Sequence, residues 1–132
     1  MSPSGEAIQR LFEAYEAAIV SALDPEYGWV DPALACVQRG QGAAVLTAWN
    51  PGFDRPEVEV NRRRNEQLQA RLQATGLDVW RADGFDPDGS VSEEGFLVWG
   101  LDIERACPIG REFSQFAIYA YDREGLRRVV AC

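Results

Sequence analysis

Hydrophobic residues near the start of the chain recur at intervals of three and four positions. Between Ser4 and Leu23, the apolar positions are Ile8, Leu11, Phe12, Tyr15, Ile19, Ala22 and Leu23. This spacing places side chains along one face of an amphipathic helix. Ser4 is suited to cap the first turn, and the Asp24-Pro25 pair ends the pattern. We therefore predict an N-terminal helix within residues 1–23.

Shorter apolar runs that follow are typical of β-strands. They lie at Ala33–Val37, Ala43–Trp49, Leu77–Ala82, Gly95–Leu101, Phe116–Tyr121 and Leu126–Ala131. A glycine-rich turn at 39–42 separates the first two runs, so a hairpin is expected between them. Because the run at 95–101 contains no polar position, we expect a strand buried on both faces.

Two further helices are predicted between these runs. The first follows Asp54-Arg55-Pro56, where an acidic cap precedes a proline, and it continues to about Thr75. The second begins after Asp102 and extends to Phe113, although Pro108 and Gly110 inside it predict a kink or a shorter helix.

The order of these elements indicates an α+β fold. A strand-helix-strand-strand-helix-strand core predicts a ferredoxin-like, two-layer sandwich, to which the chain adds the N-terminal helix and extra edge strands. The length of 132 residues fits a single domain over residues 1–132, and no internal repeat is visible.

The longer internal helix has an unusual buried stripe. Positions 61, 64, 65, 68 and 72 share one side of it because they are three and four residues apart. Leu68 and Leu72 must face the sheet, so Asn61 and at least one of Arg64 and Asn65 point towards the sheet too. A buried amide without a partner costs about 1–3 kcal/mol, and these groups therefore need partners.

Two interpretations of this stripe are open. In the structural one, Asn61 and Asn65 hold the Thr47–Gly52 turn while Arg64 pairs with a carboxylate. In the functional one, the same residues surround an anionic ligand at the helix N-terminus, where free N–H groups and the helix dipole favour negative charge. Buried amides usually serve the fold, which favours the structural interpretation.

Glu93, Glu94 and Gln115 are candidates for the same cluster. The two glutamates precede the most apolar strand, and successive strand residues point to opposite sides, so one of them can face Arg64. A carboxylate there would neutralise Arg64 or, left unpaired, act as a base or metal ligand.

Several ordered motifs together resemble a known family. They are TAWNP at 47–51, NxxRNxxL at 61–68, EExFLV at 93–98 and FxQxA at 113–117. Over about residues 45–121 they resemble the bacterial family called domain of unknown function 3293. The resemblance implies that one characteristic polar set belongs together: Thr47, Asn50, Asn61, Arg64, Asn65, Glu94 and Gln115. It implies no activity.

Composition narrows the classes of partner. The net charge of −8 and pI near 4.5 argue against nucleic acid, and no run approaches the length of about 20 apolar residues that spans a bilayer. The sequence indicates no cofactor and no metal site, because it has no His and its three cysteines are far apart. We expect reduced thiols in a cytoplasmic protein, with a terminal Cys132 that could oxidise.

Three functions are compatible with these residues. The first is a binding module for a small anionic or nucleotide-like ligand at the Asn50-Pro51 turn. The second is a structural or regulatory interaction protein that uses Tyr27, Trp29 or Trp80. The third is an enzyme with Glu94 as acid or base and Arg64 as its electrostatic partner. The absence of His and of a nucleophile motif argues against this third function. The oligomeric state is left open.

Overall fold

A seven-stranded antiparallel sheet organises the chain. The structure is a computed structural model that describes residues 4–132. In this part of the chain, the helices and strands have the following bounds: α1 Gly5–Ala17, β1 Ile19–Asp24, β2 Gly28–Val30, α2 Pro32–Arg39, β3 Ala43–Leu46, α3 Val58–Gln73, β4 Val79–Phe85, β5 Ser92–Trp99, α4 Ile103–Glu112, β6 Ala117–Tyr121 and β7 Arg127–Ala131.

The strands lie in the order β2-β1-β4-β5-β3-β6-β7, and all neighbours are antiparallel. The predicted α+β single domain is therefore confirmed. The four strands of the predicted core are adjacent, as β4-β5-β3-β6. The short strand β3 lies between β5 and β6, and all four of its side chains are buried. It ends at Leu46, immediately before the TAWNP segment.

Helices cover both faces of this sheet. On one face, which we call the α3 face, Ala44 and Leu46 pack with Leu68 and Leu72, and α4 adds further apolar side chains. On the opposite face, the α1 face, Ala43 and Val45 belong to a second core with residues of α1 and α2. The fold thus has three layers, with the sheet between two sets of helices, where we predicted a two-layer sandwich. Strand β5 is buried on both faces, as expected.

The N-terminal helix is shorter than its periodicity predicts. It ends at Ala17, and residues 19–24 form β1 instead of two more helical turns. Val20 and Ala22 are buried on the α1 face, while the backbone pairs with β2 and β4. The strand is preferred because this pairing satisfies the backbone on both sides, which an isolated helix end would not do.

The predicted hairpin between residues 33 and 49 is wrong. Its first half is the helix α2, in which Asp31 caps the N-terminus, Pro32 occupies the first turn and Gly40 ends the helix in the left-handed conformation with φ 67°. These are standard helix start and stop signals, and they prevail over the apolar run between them. The second half does form a strand, β3, which pairs with β5 and β6.

Strand β2 was not predicted, and α3 begins later than expected, because its N-cap is Glu57 instead of Asp54 and Glu57 makes no side-chain cap hydrogen bond. The other elements agree with the pattern of the sequence. β4 and β5 form a hairpin, as do β6 and β7. Asp102 caps α4 by accepting a hydrogen bond from the Arg105 amide, and the helix continues through Pro108 to Glu112. None of the helices among residues 4–132 is long and apolar enough to cross a membrane.

Cys107 and Cys132 form a disulfide, which the sequence did not indicate. Their Cα atoms are 5.1 Å apart although 25 positions separate them in the chain. The β6–β7 hairpin returns the end of the chain to α4, where Cys107 lies. Cys36 is free and buried. The expectation of three reduced thiols is therefore wrong for two of them in this structure.

Truncation of the apolar part of α3 tests the packing of the α3 face. Leu68→Ala removes a side chain with no exposed surface, and we expect it to lower the free energy of unfolding by about 2–5 kcal/mol. The neighbouring exposed Gln67 provides the control, since Gln67→Ala should change stability by less than about 0.5 kcal/mol. Urea denaturation of both variants measures the difference, and equal midpoints would contradict the packing described.

Candidate functional site

The segment between β3 and α3 leaves the sheet and crosses its end. It contains Asn50, which has a left-handed backbone with φ 48°. The Gly52 amide donates to the Ser114 carbonyl at 2.8 Å, beyond the end of α4. Because most of this segment has no strand partner, its backbone polar groups must find other partners. We call residues 47–52 the Asn-Pro turn.

Two buried amides of α3 supply those partners. Asn65 accepts a hydrogen bond from the Ala48 amide at 2.9 Å and donates to the Glu94 carbonyl at 2.8 Å. Asn61 accepts from the Asn50 amide at 2.9 Å, and its own amide donates to the Asn50 side-chain oxygen at 2.9 Å. Their exposed fractions are only 2% for Asn61 and 5% for Asn65. Asn61 and Asn65, the polar residues at the start of the buried stripe, thus use their side chains to hold the turn.

Arg64 is used in the same way. Its Nε atom donates to the Ala48 carbonyl at 3.0 Å, and Nη2 donates to the Phe113 carbonyl. The guanidinium therefore joins the Asn-Pro turn to the end of α4. We expected a carboxylate partner for Arg64, and the structure shows two backbone carbonyls instead.

Thr47 and Gln115 complete this network. The Thr47 hydroxyl donates to the Glu94 carbonyl and accepts from the Trp49 amide at 3.0 Å. The Gln115 Nε2 atom donates to the Trp49 carbonyl at 3.2 Å and to the Phe113 carbonyl at 3.4 Å. Hydrogen bonds thus connect six of the seven residues of the predicted set through their side chains.

The seventh residue, Glu94, contributes only its backbone carbonyl. Its carboxylate lies away from the turn, 3.3 Å from Arg81, which also pairs with Asp83 at 3.1 Å. The preceding residue, Glu93, reaches the turn in its place, because its Oε1 atom accepts from the Asn50 Nδ2 atom at 3.1 Å.

A cavity of about 240 Å³ lies on the α1 face, beside the Asn-Pro turn. Four small residues of the sheet line it: Ala82, Gly84, Gly95 and Ala117. Leu11, Ala14 and Tyr15 of α1 form its roof. Its polar lining includes Thr47, Asn50, Arg55, Asp86, Glu93 and Gln115. Three residues of the predicted set therefore face this cavity.

Two glycines make room for this cavity in different ways. A Cβ atom at Gly95 would lie 2.5 Å from the Leu46 carbonyl oxygen, so no larger residue fits at that point of the sheet. At Gly84, in contrast, a Cβ atom would meet nothing within 4 Å. Gly84 is paired with Val20 and Glu93, both of which line the cavity, and a side chain added there would occupy it.

The roof of the cavity is attached mainly at one end. The Tyr119 hydroxyl donates to the Tyr15 carbonyl at 2.7 Å, and Arg127 donates to the carbonyls of Glu16 and Ala18, both at 2.7 Å. A cation near the C-terminus of a helix is favourable for the helix dipole. No residue of α1 is fully buried. The helix is therefore held at its C-terminal end and lies over the cavity with a lightly packed middle.

Burial governs the electrostatics of the cavity. It raises the pKa of Glu93, although the Asn50 hydrogen bond and the Arg55 charge act in the opposite direction, and Asp86 adds to the rise. Burial, together with the charge of Glu93, also raises the pKa of Tyr15 to about 12. The Tyr15 phenol is consequently neutral at physiological pH.

Tyr15 and Arg55 were missed as site residues by reasoning from the sequence. The apolar spacing of the first helix predicts a packing role for Tyr15, and the Asp54-Arg55-Pro56 pattern predicts a helix start at Arg55. The available signal was the pair of glycines in β4 and β5, since glycine inside a strand often marks a place where a ligand or backbone comes close. Among residues 4–132, no group of three metal-ligating side chains converges.

Comparison with known proteins gives one match. The sequence profile of a family described as "Protein of unknown function (DUF3293)" matches residues 46–118, which is more than half of the chain. The matched segment contains all seven residues of the predicted set and also Arg55 and Glu93. It confirms the resemblance seen in the sequence. Neither the curated proteins nor the solved structures contain a significant match to the chain.

Removal of one amide tests whether the turn depends on α3. Asn65→Ala leaves the Ala48 amide without its partner and the Glu94 carbonyl with the Thr47 hydroxyl alone. We expect a loss of about 1–3 kcal/mol in the free energy of unfolding, measured by urea denaturation. Gln69→Ala, at an exposed position one turn further along α3, should be nearly neutral. A loss below about 0.5 kcal/mol for Asn65→Ala would show that the turn is held otherwise.

Glu93 provides a test that depends on pH. Because its pKa is raised in the folded protein, the folded state binds the proton more tightly than the unfolded state, and ionisation of Glu93 lowers stability as pH rises. Glu93→Gln should therefore be more stable than the wild type at neutral pH. The difference should disappear below about pH 4, where the carboxyl is protonated in both states.

Chemical denaturation of both proteins across this pH range measures the effect. The exposed Glu66 of α3 offers a matched control, for which Glu66→Gln should show no such gain. A Glu93→Gln variant that is less stable than the wild type at neutral pH would contradict the role of burial.

Proposed function

Because the chain belongs to the DUF3293 family, whose members are described as proteins of unknown function, we propose a function from the site itself. The domain binds a small molecule in the cavity beneath α1, with the Asn-Pro turn at the polar end of the ligand. The observation that carries this proposal is the junction of a cavity with a turn held by six side-chain donors and acceptors.

The lining supports a binding role. Ligand sites in proteins are usually concave and mostly apolar, with a few polar groups that fix orientation. Here the glycine and alanine positions of β4, β5 and β6 leave space at the sheet surface, while Asn50, Glu93 and Gln115 gather at one end. Hydrogen bonds from the α3 face hold Asn50 and its neighbours in place. A site arranged in this way is preorganised, which reduces the entropic cost of binding.

The charges that line the cavity favour a ligand with little negative charge over a nucleotide. Arg64 is engaged by two carbonyls, and Arg62 pairs with Glu59 on the outer side of α3. Arg55 is the cationic residue that lines the cavity, where it accompanies the carboxylates of Glu93 and Asp86. A molecule with several phosphates would meet one guanidinium and two carboxylates. An acidic group, where the ligand has one, is therefore placed beside Arg55.

An interaction role is the second candidate, and exposed aromatic residues favour it. Tyr27 is 75% exposed and Trp29 is 50% exposed, both next to or within the edge strand β2. Trp80 does not belong to this surface, because its ring packs edge-on against Trp99 at 5.1 Å between centroids. An enzyme based on Glu94 and Arg64 draws no support from the arrangement, since both side chains are committed elsewhere.

Filling the cavity tests the proposed function. Gly84→Leu places a side chain in open space without a left-handed backbone to strain it. A library of small fragments should yield ligands of the wild type by ligand-observed NMR, and these should lose at least about tenfold in affinity for Gly84→Leu because leucine occupies their site. Thermal unfolding of the variant verifies that it is folded.

A matched control adds the same side chain elsewhere. Gln69→Leu lies on the exposed side of α3, on the opposite face of the sheet, and should bind the same fragments as the wild type. The proposal is refuted if the library yields no ligand, or if its ligands bind Gly84→Leu as tightly as they bind the wild type.

A further inference from the structure

The inner polar end of the cavity carries hydrogen-bond acceptors that the protein leaves unused. Glu93 accepts one hydrogen bond, from Asn50 to its Oε1 atom. Among residues 4–132, Glu93 takes part in no salt bridge. Its second carboxylate oxygen therefore has neither a donor nor a cation from the described part of the chain. A partly buried carboxylate in this state gains more from a cationic partner than one in bulk water.

Gln115 provides a second unused acceptor. It is only 6% exposed, and its Nε2 atom donates to two carbonyls, those of Trp49 and Phe113. Both partners are acceptors, so the amide nitrogen must be the end that faces them, and this fixes the orientation of the amide. No described residue donates to the Gln115 Oε1 atom, and this residue lines the cavity.

Glu93 and Gln115, which carry these two acceptors, are hydrogen-bonded to consecutive residues of the Asn-Pro turn, Asn50 and Trp49. Gln115 holds the Trp49 carbonyl, and Glu93 holds the Asn50 side chain. In the described part of the chain, Trp99 Nε1 is the single fully buried side-chain polar atom without a partner. The free oxygens of Glu93 and Gln115 are consequently not sealed in the protein, and a molecule in the cavity can reach them.

We propose that the ligand of this cavity is a small primary amine, whose ammonium group donates to Glu93 and Gln115 and whose apolar body lies on the Ala82–Gly84 surface. This inference rests on the proposed binding function and specifies its ligand class. An ammonium group carries three donors and no acceptor, which matches a carboxylate and an amide oxygen. A carboxylate or phosphate in the same position would face only acceptors.

Arg55 extends the specificity of the site. It is exposed, and one of its nitrogens donates to the Asp54 carbonyl while it lines the cavity beside the two carboxylates. An amine that also carries a carboxylate, as an amino acid does, would place that second group beside Arg55. The head group bound at Glu93 and Gln115 is the ammonium in either case.

Three probes of nearly equal shape test the head group. They are 3-methylbutylamine, 3-methylbutanol and 4-methylpentanoate, titrated against the full chain by isothermal calorimetry or ligand-observed NMR. The amine should bind at least about tenfold more tightly than the alcohol and the acid, because only the ammonium group brings both a positive charge and several donors to Glu93 and Gln115. Leucine, measured beside the amine, reports whether Arg55 adds affinity for a carboxylate.

Two variants locate the effect. Glu93→Gln keeps an acceptor for Asn50 but removes the charge, and it should reduce amine binding about tenfold while leaving alcohol binding unchanged. Gly84→Leu should abolish binding of every probe, and Gln69→Leu should abolish none. Thermal unfolding shows whether each variant is folded, and Glu93→Asp, which retains the charge, should keep the preference for the amine if Glu93→Gln does not fold.

The outcomes separate the two proposals. If the alcohol or the acid binds as tightly as the amine, and Gly84→Leu removes that binding, the ammonium inference is wrong while the cavity remains the binding site. If amine binding survives in Gly84→Leu, the amine binds elsewhere and the inference also falls. If none of the three probes binds, the inference is overturned, and the fragment library alone then decides the proposed function.

Discussion

Hydrogen bonds from Asn61 and Asn65 fix the Asn-Pro turn and, with it, the path of the chain from β3 to α3. A chain that leaves a central strand loses its ladder partners, and the exposed backbone groups must be satisfied by side chains or water. Here two amides of α3 supply partners to the turn, in hydrogen bonds of 2.9 Å to Ala48 and Asn50. These side-chain bonds replace the missing strand partners. They determine the position of α3 over β3 and β5, the direction of the turn and the location of Asn50.

Much of this arrangement could be predicted, because the relevant signals are local. The Asp102 cap marked α4, and turn residues marked the two late hairpins. The cap expected for α3 at Asp54 was wrong, since Glu57 is the N-cap, but the helical spacing of three and four residues still placed Asn61, Arg64 and Asn65 towards the sheet. The errors have a common physical origin. Residues 19–24 and 33–37 satisfy more than one pattern, and the sheet pairing of β1 and the Asp31-Pro32 cap of α2 decide between them.

The candidate site shows a sharper limit. Which of Glu93 and Glu94 faces the turn depends on the register of β5, and a shift of one residue exchanges the two sides. The space beneath α1 depends on how far a helix at the start of the chain lies from glycines that occur 69–84 positions later. Neither the register of β5 nor the distance between α1 and these glycines can be predicted from a local sequence pattern. Sequence reasoning therefore identified the residues that hold the turn more readily than those that face the cavity.

The disulfide between Cys107 and Cys132 has a consequence for how the two sides of the cavity are connected. Together with the backbone, it closes residues 107–132 into a covalent ring. Gln115, which lines the cavity, and Arg127, which anchors the end of α1, both belong to that ring. A single cleavage of the backbone in the β6–β7 turn would leave both residues attached to one molecule. In the oxidised protein, the wall of the cavity and the anchor of its roof are thus parts of one closed loop.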